Sequence, residues 1–184
     1  MYEVELKVEV TEVERAALDA RFRGAGFVAG EPLSINDHYV VAVDSPHGGY
    51  DLERYRDAGS KIFYTAKTWE KVGDGLARRE EEREVTRPEF EAALAKYPNP
   101  VTIKKTRQPF SGSWQGREIH VDMDAAKFDH SPDVRHFIEA EVITADASEV
   151  ASLKEFVKSF LRESLGRDEI EEAWGMFTMA LKKL

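Results

Sequence analysis

The sequence predicts an α+β domain in which antiparallel strands close into a barrel and amphipathic helices pack against its outside. Three observations point there. Strict two-residue alternation recurs between residues 1 and 144, the period of a strand. Apolar residues at helical spacing occupy separate stretches, two of them in the last 40 residues, as amphipathic helices require. Nearly every strand-like segment also carries one charged face. Helices need apolar partners, so such strands present their apolar faces to the helices and turn their charges into a shared interior. At a prior of about 150 residues per domain, the 184-residue chain forms a single domain, 1–184. It shows no internal repeat, low-complexity tract or linker.

The elements follow in order. Val4, Leu6, Val8 and Val10 alternate with Glu3, Glu5, Lys7 and Glu9, which makes residues 1–10 a strand. Thr11 and Glu14 form a capping box, and Val13, Ala17, Leu18 and Phe22 supply a helical stripe that Gly24 and Gly26 end, giving a helix over 12–23. Strands are expected at Ile35–Val43, Asp51–Arg56 and Lys61–Thr68, separated by the turn-prone Asp44–Gly49 and Asp57–Ser60, an antiparallel meander. A charged stretch, Ala77–Val85, runs into Thr86 as N-cap, with Pro88 in the first turn and Glu89 at the third position. That helix must stop before Pro98. Two arms, Val101–Phe110 and Glu118–Asp124, are joined by a loop over Ser111–Gly116, and Phe137–Thr144 is the last strand. Val150, Leu153, Val157, Phe160 and Leu161 mark a helix ending at Gly166. Asp168 with Glu171 is expected to cap a final helix carrying Ile170, Trp174, Phe177 and Leu181, with Trp174 in the core.

Composition narrows the function. Lys and Arg number 26 against 35 Asp and Glu, a net charge of −9, which argues against a general nucleic-acid or anionic-membrane binder and makes any basic site local. The absence of cysteine excludes a disulfide scaffold, a thiolate zinc site and a Cys nucleophile. The start MYEVELKVEV carries charges where a signal peptide has its apolar segment, and no run approaches the ~20 apolar residues of a membrane span. A soluble, cytoplasmic protein is expected, and a homodimer is allowed.

Charges spaced by two recur as Glu3, Glu5, Lys7; Arg54, Arg56; Thr65, Lys67; Glu80, Glu82, Glu84; Lys105, Arg107; His120, Asp122, Asp124; and Glu139, Glu141. On one strand this is an ordinary solvated face. Recurring on nearly every strand, it describes a polar interior, which costs folding energy unless acids and cations neutralise one another or a ligand and metal complete the set. Lys7, Arg54, Arg56, Lys67, Lys105 and Arg107 suit a ligand carrying several negative charges, and Arg donates two parallel hydrogen bonds to phosphate oxygens. Carboxylates among them make sense as ligands of Mg²⁺ or Mn²⁺, hard cations that share oxygen ligands with phosphate. The ligand class is a polyphosphate with a divalent metal.

The order of these motifs resembles the CYTH family, the triphosphate tunnel metalloenzymes. Glu3-Val4-Glu5-Leu6-Lys7 is similar to its ExExK hallmark, Asp37-His38-Tyr39 to DxYY, Glu53-Arg54-Tyr55-Arg56 to LRxR, and Thr65-Ala66-Lys67 to TxK. Lys105-Thr106-Arg107 is similar to KxR, Val121-Asp122 to VD, and Phe137-Ile138-Glu139-Ala140-Glu141 to FxExE, so the likeness spans residues 3–141. It implies a closed eight-stranded antiparallel tunnel that binds a triphosphate and a divalent metal, Mg²⁺ or Mn²⁺. It further implies Glu5, Lys7 and Arg54 as catalytic residues, and Lys7, Arg54, Arg56, Lys67, Lys105 and Arg107 as substrate contacts. Glu3, Glu5, Glu80, Glu82, Asp122, Glu139 and Glu141 are the implied metal-side carboxylates, with Glu81 replacing Glu80 and Glu82 if the strand over 77–85 is bulged. Length and the two terminal helices look most similar to the class IV adenylyl cyclases, which make cyclic AMP and pyrophosphate from ATP. Inorganic and thiamine triphosphatases share the scaffold, so the implied partner is ATP, tripolyphosphate or thiamine triphosphate, and the fold does not choose among them. Thr68-Trp69 replaces the common Gly-Pro, Val40-Val41 lacks the usual Asp, and Arg135-His136 stands where Leu-Gly is common.

Histidines and tryptophans are the remaining candidates for chemistry. His38, His47, His120, His130 and His136 are too dispersed for a His-based metal site; His120 shares a face with Asp122 and is expected as a hydrogen-bonded strand histidine rather than a proton carrier. Trp69 and Trp114 are candidates to stack on a base or thiazolium ring, with packing onto the barrel rim as the alternative. A non-catalytic polyphosphate- or nucleotide-binding module is the competing function, disfavoured because acids and cations are both present.

Overall fold

A computed structural model describes residues 2–44, 46, 50–72, 75–97 and 99–183. His47, most of the turn expected at Asp44–Gly49, and Pro98 lie outside these described residues. The chain runs β1 (Tyr2–Val10), α1 (Glu12–Gly24), β2 (Val28–Ala29), β3 (Leu33–Asp44), β4 (Tyr50–Asp57), β5 (Ile62–Val72), β6 (Gly75–Val85), α2 (Arg87–Lys96), β7 (Val101–Trp114), β8 (Arg117–Phe128), β9 (Val134–Thr144), α3 (Val150–Leu165) and α4 (Met176–Lys182), with one 3₁₀ turn at Ala147–Glu149.

All described strands belong to one antiparallel sheet. β1 lies between β6 and β9, β9 pairs with β8, and β8 with β7; β7 also pairs with β3, and β3, β4, β5 and β6 follow as neighbours. Each of the eight long strands therefore has an antiparallel neighbour on both sides, and the short β2 adds to β7 beyond the end of β3. Register follows from the alternation: Glu5 stands opposite Glu141 and Lys7 opposite Glu139 on β1 and β9, so the charged faces of the two strands coincide.

The opposite face holds the core. Val4, Leu6, Val8 and Val10 of β1 join Val121, Met123, Ile138 and Ala140 beneath Leu18 and Phe22 of α1 and Leu153, Val157, Phe160 and Leu161 of α3. Burying these apolar faces stabilises the fold by roughly 25 cal/mol per Å² removed from water. α1 starts at the expected box: the Glu14 N–H donates to Thr11 Oγ1 at 3.2 Å and the Thr11 N–H to Glu14 Oε2 at 2.8 Å. α2 is capped by Thr86, and its Phe90 packs on Tyr55, Ile62 and Val85. α3 ends at Gly166, whose φ of 64° is a left-handed cap.

Two expectations are corrected. The loop expected over Ser111–Gly116 is strand as far as Trp114, and only Gln115 and Gly116 turn, with φ of 49° and 81°. A two-residue turn with both φ positive matches strand twist. The Ser-Gly-Ser run extends the strand because β2 pairs with it and Phe27 fills the space over Gly112, where a Cβ would meet the ring at 2.5 Å. The final helix starts at Met176 rather than at an Asp168 cap. The preceding segment is held by tertiary bonds: Arg167 pairs with Glu14 Oε1 at 2.6 Å, and the Ala173 N–H donates to the Lys7 carbonyl at 2.8 Å. That strand-edge contact competes with helix and leaves Trp174 60 % exposed instead of in the core.

Candidate functional site

Inward residues of the eight long strands enclose a cavity of about 740 Å³. β1 contributes Glu3, Glu5 and Lys7; β4 Arg54 and Arg56; β5 Thr65 and Lys67; β6 Glu80 and Glu82. β7 contributes Lys105 and Arg107, β8 Asp122, and β9 Glu139 and Glu141. Every acid and cation first named as a catalytic, substrate or metal-side residue lines this cavity, whereas the alternative Glu81 and the aromatic candidate Trp114 do not. The strand over 77–85 pairs without a bulge, Lys67 opposite Glu80 and Thr65 opposite Glu82. Glu81 points out, its side chain 67 % exposed and 2.8 Å from Arg79.

One side of the cavity is acidic. Glu3, Glu5 and Glu141 each offer a carboxylate oxygen, all within 4.8 Å of one another. Burial raises the pKa of Glu3, against the pull of Lys67 at 3.9 Å. Burial would raise Glu80 as well, but its hydrogen bond with Glu3 and Lys67 Nζ at 2.5 Å hold it below the usual range. Burial and then Glu139 and Asp122 raise Glu141. Like charges packed this closely favour either protons or a cation. Oxygens across a hard cation stand about 4–5 Å apart, twice the ~2.1–2.4 Å metal–oxygen distance. The three carboxylates fit a divalent ion on donor type and spacing.

The other side is a cationic wall set by two buried acids. Asp37 accepts from Arg56 Nε at 2.8 Å and from its second nitrogen at 3.2 Å, with Arg54 Nε at 3.8 Å and Lys105 Nζ at 3.7 Å. Asp124 accepts from Lys105 Nζ and from two Arg107 nitrogens, each at 2.8 Å. Burial opposes ionisation of both acids, yet the adjoining cations hold both pKa values down. Burial and Arg107 lower Lys105 to about 8 although Asp124 opposes the shift. Arg107 also bonds Asp122 and lies 3.4 Å from Glu139, which in turn lies 3.2 Å from Lys7 Nζ. Glu139 stays well below its ordinary value because Lys7 and Arg107 outweigh burial. Arg54 donates to Thr65 Oγ1 at 3.0 Å, and that hydroxyl donates to Glu82 at 3.0 Å.

Asp37 and Asp124 are the residues that motif reading passed over. Neither lines the cavity, and both stand behind the cations that do. The signal for Asp124 was its place on the inward face with Asp122, and for Asp37 its segment's likeness to DxYY. The aromatic candidates separate. Trp114 packs on Phe156 and Phe160, ring centroids at 4.8 and 5.6 Å, and is withdrawn from the cavity. Trp69 and Trp174 both line it. His120 is exposed and 3.1 Å from Ser111 Oγ, a hydrogen-bonded strand histidine.

Comparison with known proteins agrees with this architecture. The model of the CYTH domain matches residues 1–172. No curated protein matches the chain in sequence. Among solved structures, the PH1819 protein from Pyrococcus horikoshii OT3 is similar with a TM-score of 0.70 and 20 % identity, over 100 % of both chains. A candidate adenylyl cyclase from Vibrio parahaemolyticus has a TM-score of 0.61 and 18 % identity, over 99 % of this chain and 98 % of the other. HpAC1 from Hippeastrum, a candidate adenylyl cyclase with a dominant triphosphatase activity, has a TM-score of 0.59 and 16 % identity, over 100 % and 96 %. At these identities the neighbours speak for the fold. With the domain model spanning nearly the whole chain, and the two charged walls in one cavity, the chain belongs to the CYTH family.

Proposed function

We propose that this protein is a divalent-metal-dependent enzyme whose strands close as a tunnel around the triphosphate of its substrate. The observation that carries the reading is the opposition of the acidic trio Glu3, Glu5 and Glu141 to Arg54, Arg56, Lys105 and Arg107 across one cavity. The cations bind non-bridging phosphate oxygens in a site where the surrounding protein strengthens each contact. Asp37 and Asp124 hold the guanidinium and ammonium groups in place before the ligand arrives, so little reorganisation accompanies binding. Glu3, Glu5 and Glu141 would hold Mg²⁺ or Mn²⁺, with Glu80, Glu82, Asp122 and Glu139 completing the acidic surroundings. Bound there, the ion supplies polarisation of the scissile phosphate and a lowered pKa for the attacking oxygen. Lys7, fixed by Glu139, is placed to neutralise charge on the phosphates.

Two reactions use these charges. The first reading is class IV adenylyl cyclase-like conversion of ATP to cyclic AMP and pyrophosphate, with the ribose 3′-oxygen attacking the α-phosphorus; Trp69 and Trp174 on the cavity wall favour a substrate with an organic half. The second is hydrolysis of tripolyphosphate or thiamine triphosphate, with water attacking at the γ-phosphorus. It is favoured by the withdrawal of Trp114, which removes the adenine-side wall that the sequence suggested. Incubation with ATP, tripolyphosphate and thiamine triphosphate, each with Mg²⁺ and with Mn²⁺, tests both. Cyclic AMP and pyrophosphate from ATP are expected. ADP and phosphate without cyclic nucleotide, with faster cleavage of tripolyphosphate, selects the hydrolase, and turnover of none of them leaves a binding module.

A further inference from the structure

The cavity is charged through its middle and apolar at one rim. On β3, β5 and β8 the inward residue two positions after Asp37, Lys67 and Asp124 is Tyr39, Trp69 and Ala126. On β4, β7 and β9, which run the opposite way, the residue two positions before Arg54, Lys105 and Glu139 is Leu52, Ile103 and Phe137. Antiparallel pairing therefore brings all six to the same rim. α4 covers part of it: Met176 and Met179 pack on Ile103, Ala126 and Phe137, and the Phe177 ring lies 5.1 Å from that of Tyr39. The segment tied to Lys7 through Ala173 delivers Trp174 to this rim, where the indole borders the cavity and stays 60 % exposed. Lys182 Nζ stands 4.4 Å from the centre of the Trp174 ring. A large ring exposed beside a cavity, next to a wall that already suits phosphates, is a surface for a ligand rather than for the core.

We propose that this rim is a subsite for the flat ring of a nucleoside triphosphate, which stacks on Trp174 with Trp69 and Leu52 beside it while the phosphates lie in the charged middle. The proposal rests on the triphosphate reading above and deepens it to a substrate class. Lys182 at the indole disfavours a cationic thiazolium and favours a neutral base. Tripolyphosphate, with no ring, leaves the subsite unused.

The test compares ATP and tripolyphosphate binding, each with Mg²⁺, to the wild type, Trp174→Ala and Trp174→Phe, by melting-temperature shift and intrinsic tryptophan fluorescence. Thiamine triphosphate is a third arm. Trp174→Ala removes an exposed side chain, so folding should be retained, and unliganded melting checks this. The expected result is an ATP affinity about tenfold weaker in Trp174→Ala, the scale of one base stacked on an aromatic ring. Tripolyphosphate should change less than about twofold, and Trp174→Phe should restore most of the ATP affinity. ATP, and not tripolyphosphate, should quench wild-type fluorescence. Equal losses for both ligands, no loss for either, or a loss confined to thiamine triphosphate overturns the subsite while leaving the tunnel in place. Failure of the wild type to bind any of the three overturns the triphosphate reading itself.

Discussion

The residues of this cavity are held as pairs, and their replacement acts through the partner left behind. Glu5→Gln removes one anionic oxygen from the acidic trio, so metal-dependent turnover should fall by about 10²-fold or more, a loss of roughly 3 kcal/mol of transition-state stabilisation. Steady-state rates against metal concentration check this, and unchanged turnover would remove Glu5 from the metal side. Asp124→Asn keeps the shape but takes the charge from beneath Lys105 and Arg107. Breaking a buried ion pair in this way costs about 3–5 kcal/mol, and a large drop in melting temperature is expected. The pH dependence follows from Lys105, held at about 8, below its ordinary value, by burial and Arg107. Below that pH the ammonium is present and triphosphate affinity is flat. As pH rises past it, a proton must be regained on binding, and affinity should fall by up to about tenfold per unit. For stability the sign is opposite: the unfolded lysine holds its proton to higher pH, so this group's destabilising effect fades as pH rises above about 8. Calorimetric titration with tripolyphosphate between pH 6 and 10 measures the first effect, and a flat profile would assign the ammonium no part in binding.

Among the elements, those governed by local chemistry were legible in the sequence and those governed by distant contacts were not. β1 and α1 follow from alternation and from a box whose two bonds lie within four residues, so Thr11→Ala should cost about 1 kcal/mol, read from chemical denaturation. Glu14 of that box sits at about 2, lowered by the Thr11 N–H and by Arg167. Its contribution is present above the unfolded carboxylate value and should be lost as pH falls toward about 2. The extension of β7 through Ser111–Trp114 was hidden because Ser and Gly there read as a loop. The strand forms because β2 and Phe27 supply partners from far upstream, Val28 opposite Ser111 and Phe27 over Gly112. Gly112→Ala sets a methyl 2.5 Å from the Phe27 ring, and overpacking of this kind costs about 1–3 kcal/mol. A melting temperature equal to wild type would show that Phe27 gives way freely. The start of α4 was hidden for the same kind of reason: Asp168 and Glu171 resemble a cap, but the bond from Ala173 to the edge of Lys7 prevails.

In the whole molecule, the charged interior makes stability depend on ligand. A triphosphate with Mg²⁺ binds the folded state alone, so saturating tripolyphosphate should raise stability by ~2.7 kcal/mol at a hundred times its dissociation constant. A melting-temperature titration with and without a chelator checks it, and no shift at saturation would remove the tunnel reading. By itself the sequence determined which face of each strand is charged, because a period of two needs no partner to be read. It determined the strand order of charges, the family likeness and the candidate list of acids and cations. Only the tertiary structure decided what those faces enclose. It showed that β6 pairs in register with Glu80 and Glu82 inward, and that Asp37 and Asp124 lie behind the cations rather than among them. It also packed Trp114 against the core while setting Trp174 at the cavity. The physical reason is range: alternation and capping are properties of neighbours in the chain, whereas burial, ion pairing and the exposure of an indole depend on residues brought together from as far apart as Lys7 and Ala173.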